Sequence, residues 1–269
     1  MKKSVRRKKN IMNKKIIILL IFLLAILALL YLFKRLDLKQ IFVPIYEVSD
    51  RTSNVKKASK KYSDQADVVG WIKVQGTNID YPVVYEDGST TERYSFNYAW
   101  INRNNKKLTN RPIIFSHNIR NVSSQPLIGD KEMDQFEQLM SYIYYNFNKD
   151  NKYIQYTVNG KNYLYQIFSV SIVDDNLIDY YDTSYTKKEM KKYIKESLND
   201  SYFKYDVDVG EDDKIITLVT CTRFDGKLLN DFKIDAKLID KNKGYNYNVS
   251  EKKNYDYVKK ILKGDGNDV

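Results

Sequence analysis

Short apolar runs separated by polar turns fill the middle of the chain. Residues 68–85 predict two strands around the turn Gly76-Thr77-Asn78, and residues 153–173 predict two more joined at Asn159-Gly160, a pair typical of tight hairpins. Pro82 lacks an amide donor, so we expect its strand to lie at a sheet edge or to bend there. Further short strands, β-branched or apolar, are predicted at 113–115, 214–219 and 232–239.

Helical periodicity appears in two stretches. Apolar residues recur at helical spacing from Met133 to Ile143, and Thr186 with Glu189 forms a capping box at the start of a second helix. Residues 85–109 are Asn-rich and irregular, which predicts a long surface loop. Because strands and helices do not alternate regularly, the pattern favours a mostly antiparallel barrel with peripheral helices over a doubly wound fold.

The longest apolar run lies near the N-terminus. Residues 16–33 are all apolar, and at about 1.5 Å per residue they are long enough to span a bilayer core. A cleaved signal peptide would need a shorter core and a small-residue cleavage site, which Lys34-Arg35-Leu36-Asp37 does not supply. Eight Lys and Arg residues in 1–15 keep that end cytoplasmic. We therefore predict a single-pass cell-membrane protein with residues 34–269 outside.

These patterns divide the chain into five consecutive segments. They are a basic cytoplasmic tail over 1–15, a transmembrane anchor over 16–33, a stalk or N-terminal helices over 34–65, a catalytic domain over 66–241, and a polar C-terminal tail, frayed or helical, over 242–269. The stalk carries Lys56, Lys57, Lys60 and Lys61, either as a solvated helix face or as a contact for an anionic surface polymer.

Composition narrows the function further. The net charge is +11, but eight of those charges lie in residues 1–15, so the remaining chain carries only +3 and gives no electrostatic footprint for nucleic acid. One cysteine and one histidine in 269 residues exclude a disulfide framework and a Cys/His metal site.

The two reactive side chains each follow a predicted strand. Cys221 lies at the end of the strand that begins at Lys214, and His117 comes just after residues 113–115. A thiol carried by a rigid strand to an open loop is a plausible nucleophile, and His117 is the only imidazole that could carry its proton. The alternative is that Cys221 is a small buried hydrophobe and that His117 is structural.

Acyl transfer by a thiol also needs a group that stabilises the oxyanion. Arg223 lies two residues beyond Cys221, which puts both on one face if strand geometry persists that far. A surface salt bridge is the alternative role for Arg223.

Several motifs together resemble one family. Thr217-Leu218-Val219-Thr220-Cys221 resembles the Thr-Leu-x-Thr-Cys motif of sortases, the membrane-bound cysteine transpeptidases of Gram-positive bacteria. Val69-Gly70-Trp71-Ile72 and residues 77–84 resemble the first strands of class B sortases. His117-Asn118 matches the His-Asn step of that class, and the predicted helix at 187–203 is similar to its insertion before the Cys strand.

The resemblance implies a fold and a reaction for residues 66–241. The fold would be a closed eight-stranded sortase-type β-barrel with peripheral helices, preceded by the transmembrane helix. Cys221 would attack a carbonyl in the C-terminal sorting signal of a secreted surface protein or pilin and form a thioester, while His117 protonates the leaving amine. Asn118 and Thr220 are the candidate substrate-binding residues. An amine of a peptidoglycan precursor or of a pilin lysine would resolve the thioester, without metal or organic cofactor.

One position departs from the family pattern. The family arginine usually opens the last strand, whereas this chain has Asp231 there, ahead of Phe232 and Lys233. Either Arg223 or Lys233 substitutes, or the site is weakened; lysine lacks the planar fork of arginine, so we assign the role to Arg223. Two alternative functions follow: a cysteine hydrolase that releases its product with water, and a catalytically weak or silent sortase-like protein that binds surface partners.

Overall fold

The computed structural model describes residues 18–29, 31, 45–86, 94–118, 135–174, 182–224, 226, 230–245 and 247–263. The chain divides into two compact units, one of residues 1–45 with 243–246 and one of residues 46–242 with 247–269. In the first unit, residues 18–29 and 31 are helical.

These residues belong to the predicted anchor over 16–33, whose two ends lie outside the described residues, as does the basic tail over 1–15. No helix in the described ranges is both long and apolar enough to cross a membrane.

A closed barrel of eight strands forms the body of the second unit. In the order in which they pair around the barrel, the strands are β1 (Val68–Val74), β2 (Asp80–Glu86), β3 (Ala99–Asn102), β4 (Ile113–Phe115), β8 (Ile215–Thr222), β9 (Asn230–Ile239), β6 (Lys161–Asp174) and β5 (Tyr153–Val158). The β2–β3 and β4–β8 pairs are parallel, and the others are antiparallel. The predicted eight-stranded barrel is confirmed.

Helices and a small two-stranded sheet surround the barrel. The helices are α1 (Thr52–Lys61), a 3-10 helix (Glu137–Ile143), α2 (Tyr145–Asp150), α3 (Lys187–Asp200) and α4 (Tyr255–Leu262). The small sheet pairs β7 (Phe203–Tyr205) with β10 (Val249–Glu251) in antiparallel fashion.

Local sequence signals account for two of these elements. Asn159 and Gly160 both adopt positive φ angles, 52° and 70°, at the β5–β6 turn, as a tight hairpin turn requires. At the start of α3, Thr186 accepts a hydrogen bond from the Glu189 amide while the Glu189 side chain accepts one from the Thr186 amide. The predicted hairpin and capping box are both confirmed.

The alternation of β8 decides which of its side chains reach the surface of the barrel. Ile216 and Leu218 are fully buried in the central hydrophobic core, so the residues of the other parity face outwards. Thr217 shows this directly, because its hydroxyl bonds Asp235, which in turn accepts a bond from Tyr193 on α3. Cys221 shares the parity of Thr217 and therefore also faces outwards.

Three expectations about the barrel and its surroundings need correction. Pro82 is not in an edge strand, because β2 pairs with both β1 and β3; its missing donor is tolerated because the β2–β3 ladder starts only at Val83. The loop expected over 85–109 contains the four-residue strand β3, whose Ala99 and Ile101 are fully buried. The C-terminal stretch, expected to be a frayed or helical tail, does contain the helix α4, but it also contributes β10 and places Val258 in the core.

Buried charges lie between the outer face of β9 and helix α3. Asp235, fully buried, accepts hydrogen bonds from Tyr193 (2.6 Å), Ser197 (2.5 Å) and Thr217 (2.7 Å). Asp235 also forms an ion pair with Lys233, whose Nζ lies 3.3 Å from Oδ2 of the carboxylate. Burial alone would raise the pKa of Asp235, but the Lys233 charge and the three hydroxyl donors together lower it below its ordinary value. The carboxylate therefore stays ionised and ties α3 to the sheet.

We expect Asp235→Asn to lower the free energy of unfolding by about 3–5 kcal/mol at pH 7, because it leaves the Lys233 ammonium buried without its counter-charge. Since the folded pKa of Asp235 is lowered, its contribution is present above pH ~4 and is lost as the pH falls through the folded pKa. Urea unfolding at pH 7 and pH 3 measures this.

The stability difference between the two proteins should narrow at pH 3. Replacing both charges, Lys233→Met with Asp235→Leu, should cost less than Asp235→Asn alone. A difference that stays constant with pH would contradict an ionised Asp235.

Candidate active site

Strands β4 and β8 deliver the two reactive residues to the same end of the barrel. They are parallel neighbours, with Ile113 opposite Thr217 and Phe115 opposite Val219. Beyond the last ladder pair the two chains stay together, because the Ser116 amide donates to the Val219 carbonyl oxygen at 3.3 Å. Continuing this register by two residues places the backbones of His117 and Cys221 about one strand spacing apart, about 5 Å.

The side chains of both residues emerge on the outer face of the sheet. His117 has the parity of the half-buried Phe115, whereas Ile114 and Ser116, which have the other parity, are buried. The Cys221 side chain is exposed, so this thiol is not the buried hydrophobe that the alternative interpretation required. The His117 ring is half-buried against Trp100, with ring centroids 4.6 Å apart. The structure thus brings the one thiol and the one imidazole of the chain together at one exposed edge.

Asn118 holds the end of β8 in place. Its Nδ2 donates to the Cys221 carbonyl oxygen at 3.0 Å. Its Oδ1 is buried and accepts no hydrogen bond from the residues that the structure describes. Asn118 therefore fixes the backbone at the thiol and still offers an acceptor beside it.

Thr220 does not lie on the exposed face. It has the parity of Leu218, is buried, and donates through Oγ1 to the Ser116 carbonyl oxygen at 2.7 Å. The structure gives Thr220 a framework position that ties β8 to the end of β4, instead of the substrate contact expected from the sequence.

The opposite neighbour of Cys221, on β9, is Asp231. Asp231 is buried and is also paired with Val173 of β6. The position that carries the family arginine in the resemblance is thus directly beside the thiol, and in this chain it holds a carboxylate. A carboxylate cannot stabilise an oxyanion, so that role needs a donor from another position.

Lys233 and Arg223 are the two cations proposed from the sequence, and they differ sharply in accessibility. Lys233 is buried, 3.3 Å from Asp235, with its ammonium 4.9 Å from the centroid of the Tyr193 ring. Arg223 is exposed, and the alternation of exposed Cys221, buried Thr222 and exposed Arg223 continues past the end of β8. Lys233 is therefore enclosed and not accessible as an oxyanion donor, whereas Arg223 is exposed just past the end of β8.

With this geometry established, comparison with known proteins identifies the family. A family model described as a Sortase domain matches residues 72–239, more than half of the chain. The chain belongs to the sortase family. The resemblance to class B sortases drawn from the sequence motifs is also confirmed, because curated relatives and solved structures of that class match.

Three of these relatives give the extent of the similarity. Sortase B of Staphylococcus aureus is 28% identical over 163 residues, covering 58% of this chain and 63% of that protein. Sortase B of Listeria monocytogenes is 26% identical over 191 residues, covering 65% and 68%. The crystal structure of Clostridium perfringens sortase B is 27% identical with a TM-score of 0.56, covering 70% of this chain and 99% of that one. The chain spans less than two thirds of the length of the S. aureus relative.

Two features of this sortase site were not found from the sequence. Trp100, which packs on His117, lies in the stretch expected to be a loop. The two-residue spacing of the aromatic residues Tyr98 and Trp100 is the pattern that could have indicated a strand there. The burial of Asp231 depends on pairing with both β6 and β8, which no local pattern encodes. Among the described residues, no group of three or more His, Cys, Asp or Glu side chains could hold a metal ion.

We expect Thr220→Val to lower the free energy of unfolding by about 1–2 kcal/mol, because the Ser116 carbonyl loses its buried donor. The KM for a cleaved peptide should change less than twofold, since Thr220 faces the barrel interior. Denaturant unfolding and steady-state kinetics on the same preparations measure both. A tenfold rise in KM with unchanged stability would return Thr220 to substrate binding.

Proposed function

We propose that this sortase is a cysteine transpeptidase that cleaves the C-terminal sorting signal of secreted proteins and transfers the acyl group to an amine. The observation that carries the proposal is the parallel β4–β8 pairing, which aligns His117 with an exposed Cys221 on one face. The acceptor would be an amine of a peptidoglycan precursor or a pilin lysine. The partners would be sorting-signal-bearing surface proteins or pilins.

The proposed reaction has two halves that share one proton carrier. The Cys221 Sγ, as thiolate, attacks the scissile carbonyl carbon, and protonated His117 gives its proton to the leaving amine as the C–N bond breaks. A thioester remains on Cys221. The acceptor amine then attacks the thioester carbon, neutral His117 takes the proton from that amine, and the thiolate leaves. Both residues return to their starting protonation states.

Arg223 is the proposed oxyanion stabiliser. Arg223 is exposed two residues past Cys221, just beyond the end of β8, and from there its planar, permanently charged guanidinium would reach the tetrahedral oxygen. Asp231 occupies the position beside the thiol where the family pattern has an arginine. The positive charge that this arginine would supply must therefore come from another residue. Asn118, with Oδ1 as an acceptor beside Cys221, would receive an N–H of the bound peptide.

The proposed cellular location follows from the apolar run over 16–33. We place those residues in the cell membrane as a single span, with 1–15 in the cytoplasm and the barrel outside. This location supplies a substrate that is itself being secreted. Residues 34–65 would then connect the membrane to the barrel.

The thiol chemistry is tested by trapping the acyl-enzyme. We expect acid quenching of the full chain in detergent, after incubation with a panel of sorting-signal peptides, to show Cys221 carrying the acyl fragment by mass spectrometry. Cys221→Ala should carry none and should turn over at least ~1000-fold more slowly, and His117→Ala should slow turnover about 100- to 10,000-fold.

The products separate the alternative functions. Transfer of the acyl fragment to added triglycine or to a lysine side chain supports a transpeptidase, and release to water alone with both amines present indicates a hydrolase. A protein that binds the peptides but never acylates Cys221 contradicts the proposal and favours the silent binding protein.

We expect Arg223→Ala to lower kcat by about 100- to 1000-fold, as loss of an oxyanion donor does, and Arg223→Lys to recover part of that loss. Steady-state kinetics with the peptide found in the trapping screen measures both. Arg103→Ala, which removes an exposed arginine elsewhere, is the matched control and should leave kcat unchanged. Equal kcat for Arg223→Ala and wild type would assign the oxyanion to another group.

A further inference from the structure

Helix α1 has one face against the barrel and one face of unbroken positive charge. Val55, Ala58 and Tyr62, at helical spacing, pack in a small hydrophobic cluster with β1 and β2. The opposite face carries four exposed lysines, Lys56, Lys57, Lys60 and Lys61. We define these four residues as the α1 lysine face.

The α1 lysine face lacks neutralising partners among the described residues. Helix α1 contains no acidic residue, and none of its four lysines forms an ion pair with any residue in the described part of the chain. Lys61 lies over the Tyr62 ring, 4.9 Å from its centroid. On helix α3, by comparison, two exposed lysines have acidic partners, in the Lys187–Asp212 and Lys192–Glu196 pairs. The four charges on α1 are thus left available for an external anion.

We propose that the α1 lysine face lies on the anionic phospholipid headgroups of the membrane in which the chain is anchored. The charges match, since several lysines on one exposed face attract an anionic bilayer surface, each adding about fivefold to affinity. The length of chain also matches. Residues 34–51 separate the apolar run from α1, and 18 residues reach at most about 60 Å, so α1 remains within reach of the bilayer. The inference rests on the proposed membrane location.

The contact would fix the position of the active site relative to the bilayer. A continuous series of aromatic contacts links the end of α1 to the site: Tyr62 to Phe96 (3.7 Å between ring centroids), Phe96 to Tyr98 (6.0 Å), Tyr98 to Trp100 (6.1 Å) and Trp100 to His117 (4.6 Å). Because these rings are packed against one another, α1 and His117 behave as parts of one rigid surface. A bilayer that holds α1 therefore holds the mouth of the site close to the membrane.

Lysine footprinting of the full chain tests the proposal. The protein is reconstituted into vesicles of phosphatidylcholine, or of phosphatidylcholine and phosphatidylglycerol in equal amounts, and acetylated briefly with a water-soluble reagent; mass spectrometry gives the rate at each lysine. We expect Lys56, Lys57, Lys60 and Lys61 to react at least fivefold more slowly in the anionic vesicles at low salt. The protection should disappear in about 0.5 M NaCl.

Lys188, Lys191 and Lys195, exposed on α3, are the internal controls and should react equally in both vesicles. Equal rates for the α1 lysine face in both vesicles overturn the proposal. A further measurement adds poly(glycerol phosphate) to the phosphatidylcholine vesicles. If this polymer protects the α1 lysine face as strongly as the anionic vesicles do, the proposal is overturned in favour of binding to a soluble anionic polymer. Flotation of the chain with phosphatidylcholine vesicles tests the anchor separately, and the footprint comparison is made whether or not the chain floats.

A charge-removal variant completes the test. In this variant all four lysines are changed to glutamine, and hydroxyl-radical oxidation measures the protection of residues 53–62 in each vesicle type. The difference in protection between the two vesicle types should disappear. Peptide cleavage by this variant in detergent should equal that of wild type, because the lysines do not contact the active site. Retained protection in the glutamine variant would assign the membrane contact to other residues.

Discussion

The parallel pairing of β4 with β8 is the constraint on which the site depends. His117 and Cys221 are more than 100 residues apart in the chain, and neither has a local reason to meet the other. Because parallel strands end at the same edge of a sheet, their next residues emerge side by side. Three hydrogen bonds extend this pairing beyond the ladder: Ser116 to Val219, Thr220 to Ser116, and Asn118 to Cys221. Closure of the barrel holds both strands between paired neighbours, so neither can shift by one residue without turning its reactive side chain inwards.

The outer face of β8 and β9 is divided into a covered half and an open half. Helix α3 covers Thr217, Lys233 and Asp235, so their charges and hydroxyls must bond one another. Cys221 lies farther along the same face and is exposed. The C-terminal segment holds α3 in place, because the Lys252 ammonium bonds the Leu198 and Asn199 carbonyl oxygens at 2.9 and 2.7 Å, at the negative end of the helix. The covered half thus supplies rigidity, and the open half is left for chemistry.

Sequence patterns predicted those parts of the fold whose signals are local. The Asn159-Gly160 hairpin, the Thr186 capping box and the apolar strand before Cys221 each have their cause within a few residues. Strand β3 has only four residues among polar neighbours, and β7 and β10 have three each and exist only because they pair with one another. The edge position considered for Pro82 is excluded for a related reason: whether a strand has one neighbour or two is decided by barrel closure, which no single segment encodes.

The same division applies to the site. Cys221 and His117 are candidates from the sequence because each is the only residue of its type and each follows a strand, and the structure places both at the ends of the paired strands β4 and β8. Strand alternation places Thr220 on the face opposite to that of Cys221, whereas its position in the sequence motif suggested a contact with substrate. In the structure Thr220 is buried and its hydroxyl bonds the Ser116 carbonyl oxygen, which is a structural role. Lys233 appeared to be a possible substitute for arginine because the sequence does not show that Asp235 and Tyr193 enclose it.

The exposure of a single thiol has a chemical consequence beyond acyl transfer. When an oxidant converts Cys221 to a sulfenic acid, the chain holds no second cysteine that could condense with it and protect it as an internal disulfide. Recovery must come from a thiol on another molecule. Without one, further oxidation to the sulfinic acid removes the nucleophile permanently. The redox state of the surroundings therefore sets how long each copy of the protein retains a reactive sulfur.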